Sequence, residues 1–178
     1  MKGRLYYIVG PSGSGKDSVI DYARPRVSPD VQFARRTIAR PASAGGENHI
    51  AVTPQEFDAL LASEAFSMHW RANGHAYGIG REIRDWLEAD STVVVSGSRG
   101  HLPQALADFP RLQVVSITAS PGILRARLAA RGREDAKAIE ARLARALALD
   151  LPPGAAAHEI VNDGEIADAG HQLVSLLA

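Results

Sequence analysis

The residues most able to do chemistry stand together near the start of the chain, Gly10-Pro11-Ser12-Gly13-Ser14-Gly15-Lys16-Asp17-Ser18. Gly10, four residues, then Gly15 and Lys16 is the spacing of a phosphate-binding loop. Its glycines let backbone N–H groups converge on polyphosphate oxygens at a helix N-terminus, and its lysine reaches the β and γ phosphates. A Ser or Thr usually follows the lysine and ligates Mg²⁺; here the residue is Asp17. A carboxylate is a good Mg²⁺ ligand, but an acidic residue also suits the first turn of any helix, so both readings of Asp17 stay open. The stretch predicts nucleoside triphosphate binding and leaves open what is phosphorylated.

The loop has to be held between a strand and a helix, and the flanks supply them. Leu5-Tyr6-Tyr7-Ile8-Val9 reads as a buried strand, and Ser18-Val19-Ile20-Asp21-Tyr22-Ala23 as a helix ending before Pro25. Val31 to Arg35 reads as a second strand. Arg36 to His49 is polar, basic and glycine-containing, and reads as a ligand-facing loop. Thr53-Pro54-Gln55-Glu56 has the residues of a capping box with proline at the first helical position. Phe66 to Trp70 reads as a short strand, Gly74-His75-Ala76-Tyr77-Gly78 as a turn exposing Tyr77, and Arg81 to Glu88 as a helix.

Thr92-Val93-Val94-Val95-Ser96 is a β-branched run of the kind covered on both faces. Gly97-Ser98-Arg99-Gly100 follows at its C-terminal end, the edge where open α/β sheets bind ligands. Further on come a helix over Leu102 to Asp108, a strand over Leu112 to Thr118, and a helix capped by Ser120 with Pro121 first. Arg131-Gly132-Arg133-Glu134 has the look of a hinge with charged tips. Next come an amphipathic helix bearing Arg142, a strand over His158 to Val161, the turn Asn162-Asp163-Gly164, and a closing helix over Ile166 to Leu177.

This alternation predicts an α/β sandwich of three layers, a mainly parallel sheet with helices on both faces. One domain is expected for 178 residues. Residues 1–35 and 81–178 form its core, about 36–80 an inserted substrate-binding subdomain, and about 130–137 a short lid. Net charge is zero with histidine neutral, so no global field favours nucleic acid or an anionic membrane. Cysteine is absent, which removes disulfides, thiolate metal sites and cysteine nucleophiles. The N-terminus runs straight into the first strand, and a cytoplasmic protein is expected. The histidines show no metal spacing, and the alanine-rich face around residues 141–148 suits either core or a homodimer contact.

The order of phosphate loop, basic loop, capped helix, Tyr-Gly turn, Arg-Gly-Arg segment and Val-Asn-Asp turn resembles the guanylate kinase branch of P-loop kinases over essentially the whole chain. Gly-Lys-Asp-Ser at 15–18, Arg-Pro-x-x-x-Gly-Gly-Glu-Asn-His at 40–49, Gly-Ser-Arg at 97–99 and Asn-Asp-Gly at 162–164 resemble, more narrowly, the ribose 1,5-bisphosphate phosphokinases of phosphonate degradation. That resemblance implies ATP as donor, Mg²⁺ as cofactor and 5-phosphoribosyl 1-diphosphate as product. Places where guanylate kinases hold GMP and metal differ here: Asn48-His49-Ile50, Ser67-Met68 after Phe66, and Ser96-Gly97-Ser98. A guanine edge without placed donors and acceptors is left unpaired, so GMP should be a poor substrate.

An acceptor with a phosphate at each end needs cationic pockets. The candidates are Arg36, Arg40, Arg71 and Arg99, with Tyr77 as a hydrogen-bond donor and Glu47, His49 and Ser98 beside them. Lys16 reaches the transferring phosphoryl group, Arg131 and Arg133 fit a lid that Arg142 could join in bringing positive charge to it, and Asp17 is the candidate metal anchor. The resemblance places Asn162 and Asp163 where related kinases hold adenine. A nucleoside monophosphate kinase with altered base choice and a non-catalytic nucleotide-binding module are the rival readings.

Overall fold

The computed structural model describes residues 3–41, 48–132, 135–148, 151–152 and 155–178. In chain order these form β1 (Arg4–Val9), α1 (Lys16–Ala23), β2 (Val31–Phe33), β3 (Arg36–Ile38), β4 (Ile50–Ala51), α2 (Pro54–Ala62), β5 (Phe66–Ala72) and β6 (His75–Gly80). The second half holds α3 (Glu82–Glu88), β7 (Thr92–Ser96), α4 (Leu102–Asp108), β8 (Gln113–Thr118), α5 (Pro121–Ala130), α6 (Ala136–Ala148), β9 (Ala156–Val161) and α7 (Ile166–Leu177).

Five strands in the order β2-β7-β1-β8-β9 form a wholly parallel sheet. Strand side chains alternate between faces, and both faces of β1 are buried. Tyr6 and Ile8 join a core with Val19 and Ile20 of α1 and Leu173 and Leu177 of α7. Leu5, Tyr7 and Val9 join the opposite core with Ile83 and Leu87 of α3, Leu102 and Ala105 of α4, and Met68, Trp70 and Ile79 from the smaller sheet. The parallel, doubly covered arrangement expected from the β-branched runs is therefore present.

A second sheet, ordered β4-β3-β6-β5, is built wholly from residues between 36 and 80. Two local expectations change here. The basic stretch from Arg36 is not loop throughout: Arg36, Thr37 and Ile38 are a buried strand paired antiparallel with β6. Three residues are too few to show a period, so the arginine at their head disguised them. Gly74 to Gly78 is also not a turn exposing Tyr77, because β5 continues to Ala72, β6 starts at His75, and Tyr77 is only 8% exposed. Asn73 and Gly74, with φ of 49° and 76°, make the two-residue hairpin connection whose left-handed backbone suits Asn-Gly.

The capping box of α2 forms as expected. Thr53 Oγ1 accepts from the Glu56 amide at 3.2 Å, and Glu56 Oε2 accepts from the Thr53 amide at 2.7 Å. Ser120 stands at the N-cap of α5, but its side chain makes no cap; its amide instead donates to Asp163 Oδ1 at 2.6 Å. Among the described residues no helix is long and apolar enough to cross a membrane.

Candidate active site

The loop leaving β1 turns into α1 through Gly13 and Gly15, whose φ of 92° and 80° lie in the left-handed region open to glycine. Gly15 has a second constraint, since a Cβ there would stand 2.4 Å from Asn162 Nδ2. Asn162 is 1% exposed, and its Nδ2 donates to the Ser14 carbonyl at 2.7 Å. Arg127 Nη1 reaches the same carbonyl at 3.4 Å. In a trans peptide C=O and N–H point opposite ways, so holding the Ser14 carbonyl on the Asn162 side turns the Gly15 N–H away from it. Ser14 Oγ, inside the same loop, is buried without a hydrogen-bond partner among the described residues.

Four groups meet at the first turn of α1. Lys16 Nζ donates to Asp17 Oδ1 at 2.9 Å and to Ser96 Oγ, whose hydroxyl donates to Asp17 Oδ1 at 2.9 Å. Arg36 Nη2 completes the set, 3.2 Å from the same oxygen. Burial alone would raise the Asp17 pKa, but the Lys16 and Arg36 cations and the bonds from Lys16 and Ser96 outweigh it and lower the group to about 2. Asp17 is thus an anion at neutral pH, and its Oδ1 has three donors.

Residues 10–18 form one wall of a cleft of about 210 Å³, whose other walls include Arg36, Tyr77, Ser98 and Arg131. Those predicted site residues are brought together. Others lie elsewhere. Arg40 borders a separate depression with Pro41 and Thr53. Arg71 is exposed on β5 and pairs with Asp58 at 3.3 Å. His49 is buried, its Nε2 3.5 Å from the Arg40 carbonyl. Arg99 lies in a 3₁₀ turn after β7, and Arg142 on α6; neither lines the cleft. Asn162 and Asp163 act behind the loop, on Ser14 and Ser120. Glu47 and Arg133 lie outside the described residues.

Several contributing residues escaped the sequence reading. Ser96 ends the central strand and bridges Lys16 to Asp17. Trp70 and Asn73 line the cleft. Tyr7 lies beneath residues 97 and 98: its hydroxyl accepts from the Ser98 amide at 3.0 Å and pairs with His101 Nδ1 at 3.1 Å. A Cβ on Gly97 would fall 2.1 Å from the Tyr7 ring. Burial pushes the Tyr7 phenol up to about 12 and the His101 imidazole down. The glycine after the strand was the available signal for Tyr7, because a backbone so close to a ring excludes a side chain.

A phosphate cradle at the tip of a central parallel strand, faced across a cleft by a small sheet, defines a kinase of the guanylate kinase-like fold. A guanylate kinase from Anaplasma phagocytophilum shares that fold at a TM-score of 0.71, with 16% sequence identity, over 98% of this chain and 84% of that one. Within that class the chain belongs to the ribose 1,5-bisphosphate phosphokinase family. It is 50% identical over 175 residues to ribose 1,5-bisphosphate phosphokinase PhnN of Chromobacterium violaceum, covering 98% of this chain and 94% of that protein. It is 51% identical over 177 residues to the protein of that name from Laribacter hongkongensis, covering 99% of this chain and 43% of that longer protein. The chain matches no family model.

Proposed function

We propose that the chain transfers the γ-phosphoryl group of ATP to the 1-phosphate of ribose 1,5-bisphosphate, giving 5-phosphoribosyl 1-diphosphate and ADP. The observation that carries this reading is the cleft itself, where the phosphate cradle and Lys16 face Arg36, Tyr77 and Arg131. Donor and acceptor are both polyanions, and the walls supply cations and N–H groups from both sides.

On the donor side the Gly15 N–H and its neighbours take phosphate oxygens, and Ser14 Oγ finds there the partner it lacks among the described residues. Lys16 exchanges Asp17 and Ser96 for the β and γ phosphates. The acceptor needs no general base, because a phosphate monoester has its second pKa at about 6 and its oxygen is already mostly ionised at neutral pH. The work left to the protein is alignment and charge compensation. Arg36, Tyr77 and Ser98 are proposed to hold the acceptor phosphates, within a substrate-binding insertion of about 36–80 for the first two. Arg131 and Arg133 of the lid, about 130–137, joined by Arg142 of the following helix, are proposed to bring positive charge to the transferring group and exclude water.

Among the described residues no three acidic or histidine side chains could hold a metal by themselves. A metal here takes most ligands from phosphate and water, which is how Mg²⁺ binds in phosphoryl-transfer sites. Asp17 suits it as the one carboxylate among the described residues that line the cleft, and it is ionised. When bound, Mg²⁺ would neutralise charge on the β and γ phosphates. Asp17 would hold it, directly or through water, and Ser96 would keep the carboxylate oriented.

The test is ADP release with a panel of acceptors: ribose 1,5-bisphosphate, GMP, AMP and pyrimidine monophosphates. Release that depends on ribose 1,5-bisphosphate and exceeds the others by at least about 100-fold in kcat/KM is expected. Equal or greater turnover of a nucleoside monophosphate would overturn the substrate assignment.

A further inference from the structure

Four side chains from three parts of the chain stack into one column beside the cleft. Trp70 of β5 and Tyr77 of β6 are direct cross-strand partners, with ring centroids 5.5 Å apart and planes 3° from parallel. Trp70 also stacks on His101, centroids 5.1 Å apart at 28°. Tyr77 carries the Arg36 guanidinium 5.7 Å from its ring centroid. Each end is tied down, His101 to the Tyr7 hydroxyl at 3.1 Å and Arg36 to Asp17 at 3.2 Å. Trp70 is 9% exposed and Tyr77 8%, although both border the cleft. Trp70 and Tyr77 are the aromatic residues among the described residues lining the cleft, and each is stacked against neighbours within the column.

A nucleobase binds by laying its ring against a face or into a slot and pairing its edge groups. This cleft has aromatic residues but neither feature, because the protein's own rings already occupy the stacking positions. Indole and purine are fused bicycles of nearly the same size and shape. Trp70 therefore fills, between His101 and Tyr77, a space with the outline of a purine. We infer that Trp70 is the specificity determinant of the acceptor site: it occupies the base position from within, so that the site accepts a phosphorylated sugar bearing no nucleobase. This deepens the proposed function and rests on it for the identity of the sugar. The occupied slot itself rests on the column alone.

Trp70→Ala is the test, with Trp70→Phe as the conservative control and Trp70→Leu carrying the same comparison should the alanine variant fail to fold. Two quantities are read. The first is the ratio of kcat/KM for GMP or AMP to that for ribose 1,5-bisphosphate. It should rise by at least about 100-fold in Trp70→Ala and far less in Trp70→Phe. The second is the melting temperature with added indole or adenine. Either ring should raise it in Trp70→Ala and leave the wild type unmoved, as an apolar hole binds a ring of its own shape. A cooperatively folded Trp70→Ala protein that keeps the wild-type ratio and binds neither ring would overturn the inference. If the wild-type protein leaves ribose 1,5-bisphosphate untouched, the proposed substrate falls, while ring binding by Trp70→Ala still decides what Trp70 fills.

Discussion

The Arg36 guanidinium sits 3.2 Å from the Asp17 carboxylate, joining the first strand of the small sheet to the first turn of the phosphate-loop helix. The residue proposed to meet the acceptor thus touches the one proposed to hold the metal, and Lys16 touches that same oxygen. Arg36→Ala should lower unfolding stability by about 1 to 2 kcal/mol in urea denaturation. That is less than for a fully buried pair, because the Asp17 side chain is 35% exposed. Arg36→Lys should recover part of this, since it keeps the charge but loses the planar group over Tyr77. Equal stability of wild type and Arg36→Ala would show that the two sheets do not depend on this pair.

The depressed Asp17 pKa gives a pH dependence of defined sign. A carboxyl lowered from 3.8 to about 2 stabilises the fold fully above its unfolded value and loses that contribution as pH falls through the folded one. Melting temperatures of wild type and Asp17→Asn, compared between pH 2 and 6, should differ most at the upper end and converge between about 4 and about 2. A difference independent of pH would mean that the charge of Asp17 contributes nothing to stability.

Asp17→Asn also separates the two readings of this residue. The proposed metal role predicts that the Mg²⁺ concentration for half-maximal activity rises by about tenfold or more, while metal-free ATP binding changes little. A purely helix-stabilising Asp17 would leave the Mg²⁺ titration where it was.

Much of this arrangement was legible in the chain because its constraints are local. The glycine spacing before Lys16, the β-branched runs and the Thr53 capping box each specify geometry within a few residues, and each formed as read. The misreadings came from segments whose character is set at a distance. Arg36 is a strand residue because β6 pairs with it and Asp17 takes its charge. Tyr77 is buried because Trp70 and Arg36 cover it. Asn73-Gly74 carried a local hairpin signal that the neighbouring glycines obscured. The parts played by Ser96 and Trp70 had no such signal, since they arise from residues about 80 and 31 positions away meeting through the fold.

Asn162, expected where related kinases hold adenine, has its amide on the Ser14 carbonyl in the structure. Asn162→Ala should raise the KM for ATP by about tenfold, with the acceptor KM little changed, through loss of one buried hydrogen bond. Asn162→Asp should be worse, because a carboxylate has the same shape but no N–H to donate and would face a carbonyl. If the Asp variant matched wild type in ATP KM, the clamp would have no bearing on nucleotide binding.

The most direct measurement is ³¹P NMR of ATP mixed with ribose 1,5-bisphosphate and Mg²⁺, using wild-type and Lys16→Met protein. The wild type should convert the sugar's 1-phosphate resonance into the coupled pair of a diphosphate, one equivalent per ADP formed, and Lys16→Met should do so at least about 100-fold more slowly. ADP appearing beside inorganic phosphate and unchanged sugar, or a Lys16→Met protein as fast as wild type, would contradict a phosphate-loop kinase acting on a bisphosphorylated pentose.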